Sequence, residues 1–514
     1  MSVVRKGVQQ PALRALLDRP LSRAWCVTSW ITSTALFVLV VQIFGGVSPG
    51  DSAESVYSTW SIAHLNLACA YPPASHFAFP NVSSPFASTS PLYPIMSAIA
   101  SAIFRIGHSV PFPSNAAMGA HCSNAYVAIY RWSVASHALN PTLKFAYMGW
   151  FVLMASVVVL LRTIGRGRNG WEAVTLLLMA IVPLVWMCVA TYFHPQDLLA
   201  LSCIIFAVSG AARRSWTLVG VLLGLAFASQ PFALLAIAPM IVISPRSHRL
   251  SLLAGTIATV AVIDGSFILL SSGRALKTAV FGSSRLTIFG GSRFHAAGGT
   301  VLFATHLHGA SLFVVSRALP VVCAFAIAIW AARRLGSGIR DIDVLMSILA
   351  TALCMRLVFE ENLFGYYFVA VAVTLLCIEV ARGRLSGKVL VWIGMVTFAF
   401  NPVPWWLYVK LEVRGDGNIF FALSTIFEVL LVAAFLSGAL RRHVRWYLIA
   451  SAVVVALTCF PPMWGRAWEP MFAPHWLWQI ILVPTGLILA SDSLRSAIRN
   501  QESIHVPNVA EGLP

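Results

Sequence analysis

The sequence predicts an all-α integral membrane protein, a polytopic bundle of about 12–14 transmembrane helices carrying extracytoplasmic surface helices. Three observations predict it. Of the 514 residues, 58% are hydrophobic and only 10% are charged, whereas a soluble domain carries roughly 25% charged residues. Apolar runs follow one another along most of the chain. Basic residues gather in short clusters between alternate runs, as they do in loops held on the cytoplasmic side. The net charge of +17 is therefore topological in origin, and nucleic acid is not an expected partner.

The first run, Trp25 to Phe44, is too long for the apolar core of a signal peptide and lacks a convincing cleavage site after it, so it reads as a permanent span. Further runs lie near residues 144–162, 171–193, 196–211, 217–229, 231–245, 249–271, 310–331, 342–358, 367–381, 388–402, 419–438, 446–461 and 476–491. A cytoplasmic N-terminus puts most of the 35 Lys and Arg residues on the inside. Each inner loop then holds a cluster, such as Arg162, Arg166 and Arg168, or Arg213 and Arg214, or Arg333, Arg334 and Arg340. Both termini are expected in the cytoplasm of a multi-pass cell-membrane protein, with residues 493–514 as a short tail.

Two segments do not fit a simple alternation. Pro91 to Ile106 is apolar enough for a short span, but counting it would invert the rest of the topology, so it reads as a helix on the outer surface. Thr217 to Ser244 begins and ends beside arginines and is interrupted by Gln230 and Pro231. It reads as two short spans or as a re-entrant pair, because broken backbone at membrane depth needs shielding by protein or a cavity.

The chain reads as a single domain, 1–514, with its long loops outside. Residues 47–143 form the first and contain Asp51, Glu54, Cys69, Cys122 and many Pro, Ser and aromatic residues. A loop of that length is seldom only a connection. Residues 272–309 form the second and combine Arg274, Lys277, Arg285 and Arg293 with His295, His306 and His308. Basic residues outside run against the topological bias, and capture of an anionic head group is the simplest reason for them.

The acid in GVSPGDSAE directly after the first span, the long first outer loop and the Gly-rich, Pro-broken segment Gly220 to Ser244 together resemble the GT-C superfamily of polytopic glycosyltransferases. The stretches FHPQD (Phe193 to Asp197) and RLVFEENLFGYYF (Arg356 to Phe368) are similar to patterns in actinobacterial mannosyltransferase-like membrane proteins. The lack of a large soluble C-terminal domain favours the compact mannosyltransferase-like members. The resemblance implies an inverting transfer of a sugar, mannose in preference and arabinose as the alternative donor. The sugar moves from a polyprenyl-phosphate carrier to a lipid-linked or cell-envelope glycan acceptor at the outer membrane face. No cofactor is implied beyond the donor, and the expected form is a monomer that meets only membrane lipid, donor and glycan or glycolipid acceptor.

In that chemistry a general base takes the acceptor's proton as its oxygen attacks the anomeric carbon. Asp51, matching the family's acid after the first span, is the expected base, with Glu54 beside it. The pattern Asp51 to Glu54 is also capping-box-like, and one residue can serve both roles. The leaving phosphate calls for fixed positive charge, for which Arg274, Lys277, Arg285, Arg293, Arg317 and Arg356 are the candidates. Arg317 and Arg356 fall within predicted spans, where ionisable groups are costly, although Arg356 stands one turn from Glu360 and can pair with it. His194, Asp197, Gln230, His295, His306, His308, Glu360, Tyr366 and Tyr367 are candidates for the sugar or for supporting the base, with turn formation and interfacial anchoring as alternatives for several. Asp264 and Glu428, also within spans, read as bundle-interior ion pairs or hydrogen bonds. No cluster has metal-ligand spacing. Cys69 and Cys122 share the first outer loop and are expected to form a disulfide in an oxidising compartment. A transporter or lipid flippase is the main alternative.

Overall fold

The computed structural model describes residues 11–44, 49–64, 90–104, 143–190, 193–270, 311, 314–336, 339, 341–360, 363, 365–400 and 482–505. It is 88% helical and contains no strand among the described residues, in agreement with the all-α class. Six of the described helices are long and apolar enough to cross a membrane, as a membrane protein requires. The runs expected at 419–438 and 446–461 lie outside the described residues.

In chain order the helices are α1 (Pro11–Leu17), α2 (Arg23–Phe44), α3 (Pro49–Ala63), α4 (Leu92–Phe104), α5 (Leu143–Thr163), α6 (Gly170–Ile181), α7 (Pro183–Val189), α8 (Pro195–Ala212), α9 (Trp216–Ser229), α10 (Leu234–Ile243), α11 (Arg249–Leu270), α12 (Leu319–Leu335), α13 (Ile342–Phe359), α14 (Val369–Ala381), α15 (Gly387–Phe400) and α16 (Val483–His505). Their ends follow local chemistry. The Asn169 side chain accepts from the amides of Trp171 and Glu172 at the start of α6, and Asp341 does the same for Asp343 and Val344 at the start of α13. Pro183 separates α6 from α7, since proline lacks the amide that a continuous helix would need there.

The innermost helices are α8 and α13, whose apolar windows are 89% and 78% buried, whereas α2, α11 and α12 lie at the periphery with 17–28% buried. Around α8 pack α5 and α9, and α9 in turn lies against α11. Around α13 pack α12, α14, α16 and α10. The core is closed by large aromatics, including a Phe37–Trp150 stack with centroids 4.1 Å apart and Trp392, whose indole donates to the Leu482 carbonyl at 2.9 Å.

Apolar contact between helices gains little in lipid, so close backbone packing of small residues has to do more. The α9–α11 contact is built that way. A Cβ on Gly220 would collide with the Leu252 carbonyl oxygen, one on Gly224 would stand 2.6 Å from Thr259 Cβ, and Thr256 Oγ1 donates to the Gly220 carbonyl at 3.1 Å. Gly220→Ala is therefore expected to destabilise the protein by about 1–3 kcal/mol, the usual cost of overpacking. Gly265→Ala, whose Cβ would meet no atom of another segment within 4 Å among the described residues, should be neutral or slightly stabilising. Equal unfolding midpoints for the two variants in detergent would refute the close-packing account.

The arginines assigned to inner loops gather at one end of the bundle. Arg166 pairs with Asp18, Arg162 with Glu172 at 3.2 Å, Arg213 donates to Thr163 at 2.9 Å, and Arg382 joins Asp343 and the Ser493 carbonyl at 2.9 Å each. The broken segment after Arg213 and Arg214 starts at this end as α9 and returns to it as α10. At its far end the Ser229 hydroxyl reaches the Gln196 carbonyl, 2.8 Å away, in the first turn of α8. The two arms thus run beside α8 and back as a broken helical pair, each shorter than the six helices long enough to cross a membrane. The helix α4 packs on α3 and on α8 and α9, and Ile95 of α4 meets Phe267 near the last turn of α11, so α4 lies at the end opposite the arginines. The last helix continues past the expected end of its apolar run, to His505.

Candidate functional site

At the bundle end opposite the arginine clusters, four charged side chains from three segments form a chain. Asp197 stands in the first turn of α8, because Phe193 in the left-handed region (φ 51°) reverses the backbone and Pro195 starts the helix. A non-glycine residue held there costs about 1–3 kcal/mol, and such positions concentrate at functional sites. The reversal is tied back by the His194 amide, which donates to the Cys188 carbonyl at 2.6 Å. Arg356 and Glu360 come from the last turn of α13 and its C-cap. Arg317 comes from a π-helical turn, Val314–Ala318, that leads into α12.

The connections run Asp197 to Arg356 to Glu360 to Arg317. Arg356 Nη1 lies 3.4 Å from Asp197 Oδ2, and its Nε lies 3.4 Å from Glu360 Oε2. Arg317 Nη1 lies 3.1 Å from Glu360 Oε1. Two cations and two anions compensate one another, as buried charges must. The Arg356 guanidinium is also held between rings, with its central carbon 3.8 Å from the centroid of Tyr367 and 4.6 Å from that of Phe232. Phe232 belongs to the short 3₁₀ turn Pro231–Ala233 that joins α9 to α10, so the helix break itself forms one wall of the cluster. Tyr366 meets Tyr367 edge-on at 4.4 Å and stacks on His194 at 3.9 Å, and Gln196 Nε2 lies 3.0 Å from His194 Nδ1.

Of the expected site residues, His194, Asp197, Arg317, Arg356, Glu360, Tyr366 and Tyr367 are thus brought together. Gln230 is buried at the C-cap of α9, next to Phe232 through the chain. The alternative weighed for Arg356, pairing with Glu360, is realised and extended by Asp197, which the sequence separates by 159 positions. Asp264 lies on peripheral α11, and its Oδ2 has no hydrogen-bond partner among the described residues. Arg274, Lys277, Arg285, Arg293, His295, His306, His308, Cys69, Cys122 and Glu428 lie outside the described residues. Asp51 and Glu54 fall in the first turns of α3, and their side chains are likewise outside what is described. Cys26, Cys188, Cys203, Cys323, Cys354 and Cys377 are free thiols, and no three potential ligands converge as a metal site among the described residues.

Phe232 and Gln196 were not legible as site residues. The signal that could have found Phe232 is its place beside the only Gln-Pro break in a run with Arg at both ends. Chemically, Arg356 has two ring neighbours and two donor positions engaged, so it serves to hold Asp197 and Glu360. Arg317 is the more accessible of the two cations, its side chain 30% exposed against 11% for Arg356. Asp197 Oδ1 and Gln196 Oε1 are buried acceptors without a partner among the described residues, suited to hydroxyl or N–H donors. Neither a protein-family model nor a curated protein matches this sequence.

Proposed function

We propose that the chain is a membrane glycosyltransferase of the GT-C kind. It moves a sugar, mannose in preference and arabinose as the alternative, from polyprenyl phosphate to a lipid-linked or envelope glycan. The reading rests on one observation: α3, which carries Asp51, packs through α4 against α8 and α9, at the same bundle end as the Asp197–Arg356–Glu360–Arg317 chain. That end faces away from the arginine clusters, so under the positive-inside rule it is extracytoplasmic, with the termini of a multi-pass chain inside.

In the proposed reaction Asp51 accepts the proton of the acceptor hydroxyl while that oxygen forms a bond to the anomeric carbon. The bond from that carbon to the carrier phosphate breaks on the opposite face and the electron pair leaves with the phosphate, inverting the centre. Arg317 stabilises the charge gathering on the phosphate, as preorganised cations do in a water-poor site. The unpartnered acceptors of Asp197 and Gln196 suit sugar hydroxyls.

A transporter or flippase is the second reading, favoured by the contact of the helix break at Phe232 with buried Arg356, since broken helices beside charges also build transport sites. Purified protein in liposomes, supplied with radiolabelled polyprenyl-phosphate mannose or arabinose and a panel of lipid and glycan acceptors, separates them. A labelled glycan product is expected. Movement of unaltered donor across the bilayer without product would overturn the enzyme reading.

A further inference from the structure

The arginine-rich end contains a cavity of about 430 Å³ between the end of α10, the start of α11 and the last turns of α12. We propose that it binds the phosphate head group of an anionic membrane phospholipid. Arg246, Arg249 and Arg333 line it together with Val242, Ile329 and Ala332. Its size falls within the usual range for small-ligand sites, about 300–1,000 Å³.

Topological charge bias explains why an arginine stands at a helix end, but not why three from two separate segments converge on one hollow. Several other arginines at this end are answered by carboxylates: Asp18 meets Arg166, Glu172 meets Arg162, Asp343 meets Arg382 and Glu379 meets Arg384, while Arg213 has a hydroxyl partner in Thr163. No carboxylate lies within ion-pair distance of Arg246, Arg249 or Arg333 among the described residues. Arg249 is spent on structure, donating to the Val242 carbonyl at 2.7 Å and the Ser244 carbonyl at 3.4 Å, which fixes the α10–α11 turn. Arg246 and Arg333 have no hydrogen-bond or ion-pair partner among the described residues, and they reach the hollow from two different segments, the α10–α11 turn and the end of α12.

Like charges brought together without a counterion repel, so an anion seated between them relieves the repulsion and gains charge-assisted hydrogen bonds. The adjoining surface is apolar and open, with Ile329 41% and Leu250 79% exposed. That surface suits acyl chains descending from a head group, and a soluble phosphate has no use for it. Basic hollows between helices at the cytoplasmic face recognise lipid head groups by this combination of charge and neighbouring hydrocarbon.

The test is native mass spectrometry of the detergent-solubilised full chain, titrated with phosphatidylglycerol and separately with phosphatidylcholine. The expected result is one phosphatidylglycerol bound at least about 10-fold more tightly than phosphatidylcholine. The Arg246→Gln/Arg333→Gln variant should weaken it by roughly 30-fold, as loss of two head-group cations implies. Ala332→Phe, which fills the hollow and keeps every charge, should weaken binding as well and guards against a merely misfolded double variant. Arg213→Gln/Arg214→Gln, removing the same charge elsewhere at this end, should bind as the parent does. Equal loss in that control, equal affinity for phosphatidylcholine, or displacement of the lipid by millimolar inorganic phosphate would each overturn the proposal.

Discussion

Arg356→Gln is expected to lower the unfolding free energy by about 3–5 kcal/mol, the cost of removing one member of a buried ion pair and leaving the other uncompensated. Asp197 is fully buried, the Glu360 side chain is 7% accessible, and that of Arg356 is 11%. Screening by solvent is therefore slight. Glu360 keeps Arg317 after the change, but Asp197 has no other ion-pair partner among the described residues. The penalty should therefore concentrate on Asp197, and Asp197→Asn/Arg356→Gln should be less destabilised than the sum of its two single variants. Arg356→Lys should fall between, because an ammonium can neither reach two carboxylates as a fork nor lie flat between Tyr367 and Phe232. Equilibrium unfolding in mixed micelles measures all four proteins. Additivity of the two single changes within about 0.5 kcal/mol would mean that the residues do not interact, and the cluster as described would be wrong.

The all-helical class was legible because lipid leaves a chain few choices: hydrocarbon tolerates no unpaired backbone, so apolar runs become helices whatever their details. The end-to-end sorting of Arg162, Arg213, Arg249 and Arg382 was legible for a related reason, since charge at a helix end is a property of local sequence. Pairing across the bundle was not. The i,i+4 relation between Arg356 and Glu360 can be read from spacing alone, whereas Asp197 and Arg317 reach the cluster through helix packing that no periodicity encodes. Phe232 illustrates the same limit. Its sequence neighbours Gln230 and Pro231 announce a break in the helix, but only the folded arms bring its ring under a guanidinium from α13.

Asp51→Asn should lower sugar transfer by at least about 100-fold, the typical contribution of a general base, while leaving expression and unfolding temperature near those of the parent. The reason lies in what the substitution preserves. Asp51 is the third residue of α3, and Asn is isosteric with Asp there, so the substitution costs only the modest interaction of a first-turn carboxylate with the helix dipole. Beyond that, only the capacity to take a proton is removed. Glu54→Gln, one turn further along the same helix, should be milder. The carboxylates of the buried chain give a different signature: Asp197→Asn and Glu360→Gln each unbalance Arg356, so they should lower stability together with rate. The initial rate of labelled glycan formation from polyprenyl-phosphate sugar, measured beside the unfolding temperature of each variant, distinguishes these cases. Parental transfer by Asp51→Asn would remove it as the base. If Glu54→Gln then abolished transfer at unchanged stability, proton abstraction would pass to the neighbouring turn of α3. If only Asp197→Asn or Glu360→Gln did so, with transfer lost well beyond the loss of folded protein, the base would belong to the ion-pair chain.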